Sequence, residues 1–231
     1  MIQGGWKMKF YCRYWHTVNL IAAGISGICL LLFWSRMDVL QRILLINFIV
    51  ILFHQFEEYA FPGGEPAITN LTTFPQETDK FVDRYPLNQF SAMFGNVFVS
   101  VLFYLLPVFF PKQIWMGLAP CLFGMGQFIV HGIKTNISLH TFYNPGLAAV
   151  VIGHIPCGIA YIHYASDQNL LSGKTWVITI IYLLFFIACF GVLTYKILPD
   201  KNSKWPFAED EFDRFHVRER LKKWESKRFI D

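Results

Sequence analysis

The residues with the most chemistry in this chain are His54, Glu57 and Glu58 of His54-Gln55-Phe56-Glu57-Glu58, set in a largely apolar run from Ile43 to Phe61. On a helix His54 and Glu58 stand four apart and His54 and Glu57 three apart, so both carboxylates lie one turn from the imidazole. Glu57 and Glu58 themselves point about 100° apart. A charge buried in a bilayer costs at least about 2.5 kcal/mol on insertion scales, so three ionisable groups together require partners, and a metal, a proton or a substrate would serve. The stretch is therefore a functional-site candidate.

The elements that must position these groups follow from composition. The 231 residues are 54% hydrophobic, 18% aromatic and 16% charged, with a mean hydropathy of +0.38. That is too apolar for an ordinary soluble domain. The reading is all-α, a polytopic transmembrane helix bundle of about six spans, since roughly 20 apolar residues cross the hydrocarbon core. The spans are expected near 17–34, 39–61, 88–110, 113–133, 144–165 and 175–197, the third and fourth joined in a tight hairpin at Pro111-Lys112. Residues 1–198 form the membrane domain and 199–231 a charged tail. The basic residues before the first apolar run resemble a signal peptide, but a first transmembrane helix fits them better. Five dispersed cysteines without CxxC spacing suggest neither a disulfide framework nor a thiolate zinc site. Nine of the twenty basic residues lie in the tail, so the net charge of +4 is no sign of nucleic acid.

Charge sets the orientation. Sixteen of the twenty Lys and Arg fall in the N-terminus, the second and fourth loops and the chain from Lys196 onward, which places both termini in the cytoplasm by the positive-inside rule. The tail runs from acids (Glu209, Asp210, Glu211, Asp213) to bases (Arg218, Arg220, Lys222, Lys223, Lys227, Arg228), with Phe212, Phe215 and Trp224 as an apolar element. It reads as an amphipathic helix on the inner leaflet or as a solvated one.

With that topology nearly all the intramembrane polarity gathers in one leaflet. Glu57 and Glu58 lie about 5 Å and His54 about 10 Å from the inner end of the second span, by helical rise. Gln127 and His131 come near the inner end of the fourth. Asn88, Gln89, Asn96, Tyr143 and Asn144 open the third and fifth, and His140 sits in the loop between four and five. His154, about 15 Å deep, is a further ligand, a proton relay or a packed histidine. His and carboxylate from several helices at matched depth is how bundles build metal sites. Pro62-Gly63-Gly64 can end the second span and turn the chain back across the site. Asn144-Pro145-Gly146 reads as an N-cap followed by Pro at N1, a helix start that could orient an anion.

The ordered set His54-x-x-Glu57-Glu58-Tyr59, Pro62-Gly63-Gly64, His131 and Tyr143-Asn144-Pro145-Gly146-Leu147 resembles the HXXEE-domain family of predicted bacterial membrane proteins, over about residues 45–165. That resemblance implies a bacterial inner (plasma) membrane and a membrane-embedded metal enzyme. It brings no established activity.

The spacing is also close to the inverted zinc signature H-x-x-E-H, with Glu58 in place of the second histidine. In a zinc hydrolase His54 and Glu58 would be ligands, His131 or His140 the third, and Glu57 the base that activates water, the two glutamates being exchangeable. A lipid ester, amide or lipidated peptide from the inner leaflet suits such a site. A distant similarity to intramembrane glutamate proteases supports the same class, although the arginine that follows their glutamates is missing. Three alternatives stand beside it: a di-iron lipid oxygenase or desaturase using every candidate ligand, a proton-coupled transporter or carrier, and polar residues serving as interhelical glue.

Overall fold

The computed structural model describes residues 2–75 and 79–228. Six of its helices are long and apolar enough to cross a membrane, and this is an integral membrane protein. They are α1 (Ile2–Phe33), α2 (Val39–Tyr59), α4 (Gln89–Phe109), α5 (Ile114–Leu139), α6 (Ala149–Asp167) and α7 (Gly173–Ile197). Three short α-helices, α3 (Glu65–Ile68), α8 (Glu209–Phe212) and α9 (Val217–Arg228), lie outside them, and no strand occurs among the described residues. The bounds of α2, α4 and α7 fall within two residues of expectation. α5 continues to Leu139 rather than 133, and α6 begins at Ala149 rather than 144.

α2 is the central element. It packs against α1, α4 and α6, and half of its apolar stretch is buried, against 11% for α1 and 17% for α7. The two peripheral helices turn Ile21, Ile25, Ile28, Ile181, Leu184 and Phe185 outward, as lipid-facing helices do. In the bundle centre Leu44, Phe48 and Leu52 of α2 meet Phe103 of α4 and Phe186 of α7, whose rings stack at 3.9 Å. Contact among apolar helices removes no surface from water inside a bilayer, so shape and buried polar pairs must hold them together. Gln55 is the main polar pair. Its Oε1 accepts from Asn19 of α1 at 2.7 Å and from Ser100 of α4 at 3.0 Å, and its Nε2 donates to the Asn96 carbonyl at 3.0 Å.

Asp38 opens α2 by accepting the Gln41 N–H at 2.8 Å. Pro62-Gly63-Gly64 closes it. Both glycines have positive φ, +75° and +104°, and a Cβ on Gly64 would lie 2.8 Å from the Phe215 backbone nitrogen. Glycine is needed there for conformation and for close approach. The chain then folds back as α3, which carries Glu65 under the end of α2.

Residues 199–228 dock on this same face. Phe207, Phe212, Phe215 and Val217 are buried among Trp15, Tyr59, Ile68 and Leu87. Arg214 donates to the carbonyls of Tyr59 and Ala60, both at 3.0 Å, satisfying groups that the C-terminus of α2 leaves open. Arg13 of α1 meets Asp210 at 2.9 Å and Glu211 at 3.1 Å. Phe212 and Phe215, expected on a leaflet or in solvent, therefore face protein. Burying each from water stabilises the docked segment by about 1.5–3 kcal/mol. The boundary near 198 marks the last crossing and not the end of the packed unit.

Candidate metal centre

On α2 the residues Asn47, Ile51, His54 and Glu58 form one stripe, spaced four, three and four apart. Three polar groups from this stripe and from α5 converge: His54, Glu58 and His131, their candidate ligand atoms all within 4.8 Å of one another. His54 Nε2 lies 3.3 Å and His131 Nε2 3.4 Å from Glu58 Oε1, and both imidazoles are buried. His131 sits where α5 widens to π-type turns over Ile129–Thr135, a local expansion that often accompanies functional sites.

The protonation of His131 can be read from its neighbour. The Asn144 amide nitrogen donates to the His131 carbonyl at 2.6 Å and to Asn136 Oδ1 at 2.7 Å, so Asn144 Oδ1 is the atom that meets His131 Nδ1 at 2.8 Å. An acceptor there puts the proton on Nδ1 and leaves the Nε2 lone pair facing Glu58. A lone pair opposed to a carboxylate needs a cation between them, either a proton or a metal. The edge of a tetrahedron with zinc-ligand bonds of about 2.0–2.1 Å is about 3.3 Å, which matches both contacts to Glu58. The outer hydrogen bond from Asn144 is the kind that orients metal-binding imidazoles. Gly146, at φ +98°, completes the seat, since a Cβ would lie 2.6 Å from His131 Cε1. Asn144 and Gly146 thus serve His131. Asn144 is not the cap of α6, which begins five residues later.

The anion expected at that helix start is present, and it belongs to the chain. Glu57 accepts from the backbone N–H of Ala148 at 3.1 Å and of Ala149 at 2.9 Å, and from the Tyr143 hydroxyl at 2.8 Å. Burial and the adjacent Glu57 carboxylate push the Tyr143 phenol above its ordinary range. Glu57 is therefore directed away from the His54, Glu58 and His131 group. Glu65 faces that group instead, lining the same cavity while accepting from the Thr69 hydroxyl at 2.6 Å. Burial and the charge of Glu58 push its carboxyl up to about 8. Reading residues 62–86 as a loop missed Glu65. The signal for it was its position directly after the Pro-Gly-Gly turn.

The other expected residues divide. His140, in the left-handed region at φ +50°, is exposed and stacks on Trp224 at 3.5 Å, outside the cluster. Asn88 caps α4 in a reciprocal pair with Ser91. Asn96 and Gln127 line the cavity. His154 is fully buried, its ring 5.5 Å from that of His54, but outside the three-ligand group.

The cavity beside the cluster has a volume of about 470 Å³ and runs between α2, α4, α5 and α7. Glu58, Glu65, His131 and Thr194 make it polar at one end, while Val99, Phe123, Leu183 and Phe190 line the rest. Two of its lining residues, Val130 on α5 and Ile187 on α7, are 43% and 41% exposed. The cavity is not enclosed, and these two residues flank it on α5 and α7.

A six-span helical membrane protein with a buried His/Glu/His cluster at one end of an amphiphilic cavity is the class that fold and site define. Within it, the chain belongs to the family described as "Protein of unknown function with HXXEE motif", whose profile matches residues 45–161. That range holds His54, Glu58, Glu65, His131, Asn144 and His154. No curated protein and no solved structure matches the chain.

Proposed function

We propose that this protein is a membrane-embedded, zinc-dependent hydrolase of a lipid ester, lipid amide or lipidated small substrate, with both termini and the site on the cytoplasmic side of a bacterial plasma membrane. The observation that carries the reading is the pair of contacts of 3.3 and 3.4 Å from Glu58 to two imidazole nitrogens, which suits His54, Glu58 and His131 as three ligands of one ion. Zinc bound there would supply a Lewis acid and activate water. The charge of bound zinc would favour the ionised form of Glu65, which, rather than Glu57, would then take the proton of the attacking water on a carboxylate oxygen and return it to the leaving group. Thr194 Oγ1 lines the cavity, buried and without a partner, and it donates to the substrate carbonyl. The apolar length of the cavity takes an acyl chain that slides in between α5 and α7. Three ligands favour one ion over the di-iron alternative, which needs about twice as many.

Purified protein in nanodiscs, supplied with zinc and a panel of lipid esters and amides, tests the reading. Hydrolysis is expected in the wild type, lost with chelator, and lowered about 10²–10⁴-fold in Glu65→Gln with zinc retained. Turnover that survives both chelation and Glu65→Gln would refute it.

A further inference from the structure

The polar stripe of α2 continues past His54, away from Glu58. Asn47 lies on the same face two turns earlier, and the buried His154 of α6 sits against both residues. His154 Nδ1 meets Asn47 Oδ1 at 2.9 Å, while Asn47 Nδ2 points at Cys121 Sγ, 3.6 Å away. That assignment makes Asn47 Oδ1 the acceptor and puts the His154 proton on Nδ1. Nε2 of His154 is then a bare acceptor, and it is buried with no partner. The α5 backbone is shaped to admit this ring, because a Cβ on Gly124 would lie 2.5 Å from His154 Nδ1.

His54 has the complementary need. Its Nε2 faces Glu58, so holding a cation there leaves its own proton on Nδ1, and Nδ1 is buried with no partner. The two rings are neighbours, with centroids 5.5 Å apart and planes at 64°. The contact is not closed in the structure, but this separation leaves room for about one hydrogen bond of 3 Å between facing ring nitrogens. Buried polar groups in proteins are almost always paired, and here an unpaired donor and an unpaired acceptor stand on adjacent rings.

We propose that His154 is a positioning residue: it accepts the His54 Nδ1–H and fixes His54 in the tautomer that turns Nε2 toward Glu58 and His131, while Asn47 fixes His154 in turn. The relay rests on the metal-centre reading, because without a cation between them His54 Nε2 would itself carry the proton and donate to Glu58. It matches the service that Asn144 gives His131, one step longer. Tyr104 is the competitor, since its hydroxyl is also buried without a partner and its ring lies 5.6 Å from that of His154.

The test is nitrogen-15 histidine NMR of the full-length, zinc-loaded protein in nanodiscs. His54 is expected to be protonated on Nδ1, with a downfield Nδ1–H resonance that persists in Tyr104→Phe, disappears in His154→Ala and returns in His154→Gln, whose side-chain oxygen can accept. Zinc affinity should fall about 10–100-fold in His154→Ala and recover in His154→Gln. Should His154→Ala not fold, Asn47→Leu removes the group that sets the His154 tautomer and is expected to shift the same resonance. The proposal is overturned if that resonance is unchanged in His154→Ala, if Tyr104→Phe moves it instead, or if His154→Ala loses a second zinc equivalent, which would make His154 a ligand. A wild type that takes up no metal would sink the metal-centre reading and this proposal with it, whereas zinc uptake with an unmoved resonance overturns this proposal alone.

Discussion

Glu57 and Glu58 are adjacent in the chain and live in opposite surroundings. Glu57 is held by three donors, two of them backbone N–H groups at the start of α6, so its charge is neutralised by the protein itself. Glu58 is met by two imidazole nitrogens on α2 and α5 and shares the cavity with a second carboxylate, Glu65. The first arrangement ties two helices together. The second needs a cation, a proton or a metal ion, between Glu58 and the facing imidazoles. A rotation of about 100° between neighbouring helical positions is enough to give one glutamate a structural task and the other a place in the site.

Four substitutions sharpen that contrast, taken from the largest effect to the smallest. Glu58→Gln should abolish zinc uptake, read by equilibrium dialysis, because an amide replaces the one anionic ligand. Glu65→Gln should leave zinc in place and remove about 10²–10⁴-fold of kcat, so that metal content and turnover separate. Asn144→Ala should weaken zinc binding about 10–100-fold by freeing the His131 ring, with less effect on kcat once metal is saturating. Glu57→Gln should keep both metal and turnover and cost about 1–3 kcal/mol of stability, seen as a lower unfolding temperature in detergent. Loss of activity without loss of stability in Glu57→Gln would erase the distinction between the two glutamates.

The fold was legible in the sequence because hydropathy alone defines spans of this length. α2, α4 and α7 came within two residues. The failures lie where tertiary partners override local signals. Asn144 has the chemistry of a helix cap, yet His131 takes its side chain and α6 starts at Ala149. His131 and His140 look equivalent near one interface, but a single left-handed residue at His140 sends its ring to Trp224. That His54 and Glu58 meet was readable from i, i+4 spacing. That Glu57 points elsewhere was not, since helical geometry gives the angle between two side chains and not which one faces the bundle. Glu65 was hidden in a segment read as loop, because only the two positive-φ glycines before it fold α3 back under the site. Phe212 and Phe215 carried an apolar signal whose partner, membrane or protein, depends on contacts more than a hundred residues away.

The most direct test of the metal centre is elemental analysis of detergent-purified wild type beside Glu57→Gln and Glu58→Gln. One zinc per chain in the wild type and in Glu57→Gln, with none in Glu58→Gln, is the predicted result. Equal metal in all three, or none in the wild type, would contradict it.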